Sequence, residues 1–326
     1  MTDTDRILIS VIVPYHNAER TIQRTLQSLA AQTMKEGVEF VLVNDGSTDR
    51  SEEIAELYLK LDKLMASRTV MTAHQFRRGS AAAYRTGVEK SRGEFLARCD
   101  ADDAMTPDAL SKLLQAAGSE TDISTAPLCE IWTTGKRHLR RSHATKGLNA
   151  MRPDTAGFSL CNKLIRRSLI VDNDLLPTEG IDFWDDLSVT CRAIALARHI
   201  ATVSDPVYYY YRDPETPSMT MGHKETVMRD RMVYALLMEK WFVNRGLSQR
   251  YGIFLDTMKF AAKIKLLQRP RADVALWKET FPEVNRHIWR LAGIHPLIRL
   301  CAWIAAKLPS GWVQNILDWE PCIIDE

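Results

Sequence analysis

Asp100, Asp102 and Asp103 fall within four positions, directly after the short apolar run 95–99 that follows Gly93. Carboxylates this close raise one another's pKa and cost folding free energy unless a cation lies between them. On an extended chain Asp100 and Asp102 point to the same side. Oxygen donors so arranged at the end of a strand suit a hard divalent cation. The plain alternative is a solvated acidic turn, with Thr106-Pro107 opening the next helix.

The elements that must position these residues follow from the apolar pattern. Residues 8–13 form a continuous run with β-branched side chains, the mark of a strand buried on both faces. Pro14-Tyr15-His16-Asn17 breaks it, and Asn17 is placed to cap a helix whose stripe is Ile22, Leu26 and Leu29. A second strand at 40–43 ends in Asn44-Asp45-Gly46-Ser47-Thr48-Asp49. Ile54, Leu57, Tyr58 and Leu61 give the next helix its stripe; a weaker strand at 69–73, a helix at 80–90 and the strand at 95 complete the series. This alternation over the first 117 residues predicts an α/β fold: a mainly parallel sheet flanked by helices. Loops after the first, second and fourth strands then share one sheet edge, where Tyr15, Asp45, Asp100 and Asp102 converge and where open α/β sheets bind ligands.

Composition narrows the class. The chain has 326 residues, 45% hydrophobic and 26% charged, with a formal net charge of +2 that gives no reason to expect nucleic acid. Six dispersed cysteines without a Cys-x-x-Cys pair predict neither a zinc site nor a disulfide framework. The polar, acidic stretch 1–6 does not read as a secretory signal, and no apolar run approaches the roughly 20 residues that span a bilayer. A cytoplasmic location is the expectation, at the inner face of the membrane if the C-terminal helices touch it.

The order and spacing of three motifs resemble the family 2 glycosyltransferases, whose GT-A fold is Rossmann-like and binds nucleotide sugars. These are SVIVPYHN at 10–17, VNDGSTD at 43–49 and CDADD at 99–103, the last matching the family's Asp-x-Asp signature. Looser similarity runs to about position 220. The resemblance implies that Pro14 and Tyr15 flank a nucleobase, with Asn17 nearby and Tyr15 stacking. It implies that Asp45, beside Gly46, accepts a hydrogen bond from the base, usually uracil. Asp100, beside Ala101, would hold the ribose, and Asp102 would ligate Mn²⁺ or Mg²⁺ together with diphosphate oxygens. Where the family has Asn-x-Gly and then Ala-Arg-Asn, this chain has Arg77-Arg78-Gly79 and then Ala83-Tyr84-Arg85, so Arg78 or Arg85 is left to meet the diphosphate, unless both are solvated helix residues.

Further along, SLCNKLIRRSLI at 159–170 resembles the block after the family's acceptor region, and Asp185-Asp186 occupies the place of its helix-opening acidic pair. An inverting transfer needs a carboxylate to accept the acceptor hydroxyl's proton. Asp186 matches that base position, and Asp185 is its neighbour and candidate replacement; alternatively both only favour a helix N-terminus. Trp184 is placed to pack on sugar or acceptor, or in the core. The basic run 135–141 reads as an exposed turn or an anion-binding patch. A family loop that often carries a His falls at 213–220, where this chain has none; His223 follows a few residues late.

Residues 1–222 are therefore expected to form the catalytic domain, with a nucleotide half at 1–117 and an acceptor half at 118–222. The remainder, 223–326, reads as a helical extension. Its Trp303, Trp312 and Trp319, mixed with Arg299 and Lys307, fit a helix at a membrane interface or one packed on protein. The expected activity is metal-dependent, inverting transfer from a nucleoside diphosphate sugar, most simply a UDP-sugar, to a saccharide or lipid-linked acceptor. Two rival readings are a module that binds the nucleotide sugar without transferring it and a Mg²⁺-dependent phosphatase of the haloacid dehalogenase type. The phosphatase reading places Asp-x-Asp after the first strand, whereas here it follows the fourth.

Overall fold

The first apolar run forms β1 (Ile9–Tyr15), buried along nearly its whole length as a strand covered on both faces must be. The computed structural model describes residues 6–142, 147–148, 156–212, 224–267, 272–291 and 293–319. Two units divide the chain: Met1–Thr145 with Thr155–Pro217, and Lys146–Asp154 with Ser218–Glu326.

In the first unit β1 is followed by α1 (Ile22–Ala30), β2 (Val38–Asn44), α2 (Ser51–Leu61), α3 (Lys63–Ala66), β3 (Thr69–Ala73), α4 (Ser80–Lys90) and β4 (Phe95–Arg98). Then come β5 (Ala104–Met105), α5 (Ala109–Ala116), β6 (Ile123–Thr125), β7 (Leu128–Trp132) and β8 (Arg137–Arg140). The unit closes with β9 (Lys163–Arg166), α6 (Arg167–Val171), α7 (Asp185–Leu196), β10 (Ile200–Thr202) and β11 (Tyr208–Arg212). A seven-stranded sheet has the order β10-β6-β9-β4-β1-β2-β3. β1 runs parallel to β2 and β4, β2 to β3 and β6 to β10, and β9 alone pairs antiparallel with both its neighbours. A second sheet, β5-β11-β7-β8, joins the Asp-x-Asp segment to the tyrosine-rich strand through the β5–β11 pair. The expected mainly parallel α/β sheet flanked by helices is the observed one.

Ile22, Leu26 and Leu29 of α1 enter the core against Val11, Val13 and Phe40, as their spacing predicts. Several local expectations change. Asn17 does not cap α1: it has φ 50°, the helix starts at Ile22, and its Oδ1 instead accepts from the Thr48 N–H at 2.9 Å. On α2 the buried positions are Ala55 and Leu59, with Ile54 and Tyr58 packed beside them, while Leu57 and Leu61 face solvent. The small Ala55 lets the helix approach the core, which turns the larger leucines outward. Residues 137–140 are an edge strand antiparallel to β7, and only the residues before them form the turn. Beyond Arg98 the chain does not stay extended; the Asp103 N–H closes onto the Asp100 carbonyl at 3.1 Å, a tight turn through the acidic cluster.

The second unit contains α8 (Lys224–Asn244), α9 (Gly252–Lys263), α10 (Val274–Glu279), α11 (Pro296–Lys307) and α12 (Ser310–Trp319). Phe260, Trp277, Val284, Ile288, Ala302 and Val313 belong to its core. Lys263 is fully buried there, and its ammonium donates to the carbonyls of Trp277 at 3.1 Å and Thr280 at 2.7 Å, groups left open at the end of α10. Among the described residues no helix is long and apolar enough to cross a membrane. Residues 213–223, with His223, and the side chain of Trp319 lie outside the described residues.

Candidate active site

β1 and β2 end in register, Tyr15 opposite Asn44, so the loops after them leave the sheet side by side. The Asp45 carboxylate is buried and fixes the loop after β3. Its Oδ1 accepts from the Arg78 N–H at 2.8 Å and pairs with His74 Nδ1 at 2.7 Å, while its Oδ2 accepts from the Gly79 N–H at 2.8 Å. Gly46, φ 63°, lies directly under that loop: a Cβ there would be 2.6 Å from the Arg77 nitrogen. Only glycine combines that φ with so close an approach. Between the two loops opens a cleft of about 540 Å³ lined by His16, Asn17, Gly46, Ser47, Thr48 and Phe76, among others. That volume falls within the range of small-molecule sites.

Tyr15 does not face this cleft. It is 3% exposed, within the core cluster, so no ring face is open for the stacking expected of it. Burial, then the charges of Glu52 and Glu56, raise the Tyr15 phenol well above its ordinary value. The reversal of side at each strand residue puts its neighbour His16 into the cleft instead, with Nδ1 2.8 Å from the Asp45 carbonyl. Pro14 is half-buried at the end of β1.

Arg98, the last residue of β4, gathers carboxylates from two elements. Its Nε donates to Asp100 Oδ1 at 2.7 Å, and its Nη1 donates to Asp185 Oδ2 at 3.0 Å and Asp186 Oδ1 at 2.7 Å. Its Nη2 donates to Ser80 Oγ at 3.0 Å, and that hydroxyl donates on to Asp185 Oδ2 at 3.0 Å. The Arg98 side chain is 6% exposed. Three acidic groups this close are tolerable in a buried place because one fixed cation is shared among them. Asp185 and Asp186 open α7, where the helix dipole also favours negative charge. They differ in access: Asp185 is buried and accepts from the Asp186 N–H at 2.8 Å, whereas the Asp186 side chain is 26% exposed. Burial, with the charges of Asp185 and Asp100 against that of Arg98, pushes Asp186 up to about 7.

The backbone around Asp186 is held from both sides. Trp184 precedes the pair in the left-handed region, φ 72°, a costly conformation for a bulky residue. On the other side the Leu160 N–H donates to Asp186 Oδ2 at 3.2 Å. Leu160 belongs to a loop shaped by Lys163, whose buried ammonium donates to the carbonyls of Ala156 at 2.9 Å and Ser159 at 2.5 Å. Burial pushes Lys163 down to about 7.

Within the acidic turn the three aspartates part ways. Asp103 is structural: Tyr208 Oη donates to its Oδ2 at 2.9 Å and the Tyr211 N–H to its Oδ1 at 2.8 Å. The same Tyr208 hydroxyl accepts from the Asp100 N–H at 3.0 Å. Asp100 is shared between Arg98 and the Cys161 thiol, which donates to its Oδ2 at 3.4 Å. Asp102 is pushed up to about 6, first by burial and then by the charge of Asp100. Arg24 donates to the Asp102 carbonyl and lies 3.8 Å over the Tyr211 ring. A carboxylate destabilised by burial and by a like charge fits the donor chemistry of a hard divalent cation, which relieves both. Among the described residues no group of three or more metal-ligating side chains is assembled. Arg78 and Arg85 both turn to Glu179, at 2.8 Å and 3.4 Å, so each already has an anionic partner in this arrangement.

Sequence reasoning passed over Arg98, His16, His74 and Arg24. Arg98 was legible, since a lone cation in an apolar strand two residues before Asp100 shares its face. His74 and Arg24 carry no comparable local signal.

Fold and site together define a mainly parallel α/β domain with an acidic cluster at its strand ends, and comparison gives the class a name. The family model of Glycosyl transferase family 2 matches residues 10–172. The chain belongs to glycosyl transferase family 2. It is 35% identical over 215 residues to EpsH of Bacillus subtilis, described as a glycosyltransferase, covering 62% of this chain and 60% of EpsH. It is 28% identical over 276 residues to the poly(ribitol-phosphate) β-N-acetylglucosaminyltransferase TarS of Staphylococcus aureus, covering 80% of this chain and 47% of TarS. The matches thus span 60% or less of these two relatives' own length. Residues 1–349 of TarS, crystallised with UDP-GlcNAc, superpose with a TM-score of 0.69 at 20% identity, over 95% of this chain and 88% of that one. At that identity the likeness is one of fold, and the fold shared is GT-A.

Proposed function

We propose that this chain transfers a sugar from a UDP-sugar to a hydroxyl of a saccharide or lipid-linked acceptor, with inversion at the anomeric carbon. The observation that carries the reading is the Arg98 node, which holds Asp185 and Asp186 of α7 against Asp100 at the end of β4. A partly exposed carboxylate poised near neutrality thereby stands next to the nucleotide end of the sheet, where a proton acceptor is needed. Family membership supports the reaction type, and relatives named as transferases on poly(ribitol-phosphate) support a glycoconjugate acceptor.

In this reading His16 and the cleft after β1 and β2 take the uracil, with Asp45 keeping the cleft's far loop in place. Asp100 lies where the ribose is expected. Asp102 would hold Mn²⁺ or Mg²⁺, which when bound supplies positive charge for the leaving diphosphate. Asp186 accepts the proton of the attacking hydroxyl. Arg98 is a positioning residue that orients Asp186 and keeps it ionisable.

The test is UDP release from UDP-GlcNAc and UDP-glucose by the parent and by Asp186→Asn, beside calorimetric UDP binding. Turnover should fall about 10²–10⁴-fold in Asp186→Asn while UDP affinity stays within about twofold. Unchanged turnover would remove Asp186 as the base.

A further inference from the structure

The buried side of α11 is made by Ala302 and Ala305, with Ile298 and Cys301 packed on the same core. At about 100° per residue the opposite side carries Leu297, Leu300, Trp303, Ile304 and Lys307. Those four apolar side chains are 37% to 44% exposed. A helix that is apolar on both faces needs something on its second face. Trp289 and Trp312 stand out further, 52% and 69% exposed. Arg299 donates to the carbonyls of Trp289 at 3.2 Å and Leu291 at 2.6 Å, which fixes the Trp289 segment beside α11.

Charge selects the occupant. Residues 286–315 contain Arg286, Arg290, Arg299 and Lys307 and no Asp or Glu. Arg286, Arg290 and Lys307 are exposed, Lys307 in the middle of the apolar side. A symmetric pairing of two such faces would bring cations together with no acidic group from this stretch to offset them.

We propose that this face docks on an anionic phospholipid surface. The aliphatic side chains of α11 enter the acyl boundary, the tryptophans lie at headgroup level, and Lys307, Arg286 and Arg290 meet lipid phosphates. A basic side chain near such a surface contributes about fivefold in binding, so three give roughly two orders of magnitude over a neutral bilayer.

Flotation of the full chain with vesicles of 30% phosphatidylglycerol in phosphatidylcholine, against phosphatidylcholine alone, tests this. The parent should float with the anionic vesicles, at least tenfold better than with the neutral ones, and high salt should release it. Leu300→Glu and Lys307→Glu should each lower that binding several-fold with unchanged thermal melts; Lys307→Glu alters only an exposed group and keeps the test valid should Leu300→Glu fold poorly. No flotation of the parent, or flotation equal in Lys307→Glu, overturns the proposal. So does a dimer in sedimentation velocity that Leu300→Glu converts to monomer while vesicles bind neither form.

Discussion

Asp186 and Arg98 make the residue-scale case, because each is intelligible only through the other. Burial holds the Asp186 carboxyl protonated at a pH where an ordinary aspartate is ionised, and Arg98 limits the rise. The stability sign follows. The folded state keeps the proton that the unfolded chain loses near pH 4, so the Asp186 contribution favours folding at low pH and is lost as pH rises toward 7. In the proposed transfer activity should run the other way, since Asp186 accepts the proton only when ionised. The acid limb of kcat/KM should therefore have its midpoint near 7, read from UDP release across pH 5–9. Arg98→Met should move that limb upward and cost about 3–5 kcal/mol of stability by stranding buried carboxylates; urea melts measure the second effect, and an unmoved limb would deny Arg98 its positioning role. His16→Ala should weaken UDP binding by about 1–3 kcal/mol, the scale of base stacking, whereas Tyr15→Phe should leave it unchanged.

At the scale of elements, the site depends on loops clamped between secondary structures. Gly79, φ 99°, links the loop held by Asp45 to α4, and a Cβ there would lie 2.4 Å from the Asp182 carboxylate. Gly79→Ala should therefore cost about 1–3 kcal/mol in a thermal or urea melt, with UDP binding weakened because the cleft wall moves. Lys163→Met should loosen the loop that carries Leu160, lowering stability by about 3 kcal/mol and turnover with it. The parallel strands and their helices were readable from apolar runs, because burial on both faces leaves an unmistakable signature at 8–13 and 40–43. Tertiary approach was not readable: which leucines of α2 face out depends on Ala55 touching the core. Nor was the turn at Asp100–Asp103, since its closure needs Tyr208, 105 residues away from Asp103. Within the site, carboxylates declared themselves by clustering, whereas His74 and Arg24 gained meaning only from neighbours distant in sequence.

At the scale of the whole molecule, the first unit carries every group assigned to nucleotide, metal and base, and the second carries none of them. Its helices present instead an exposed apolar face that includes Lys307, the face proposed to dock on lipid. In the proposed transfer the edge of the first sheet binds a uridine diphosphate through a divalent cation. Calorimetric titration with UDP, with Mn²⁺ and again in chelator, measures that binding. Binding should be at least tenfold tighter with the metal, and Asp102→Asn should lose that gain. UDP binding indifferent to metal, or no binding by folded protein, would contradict it.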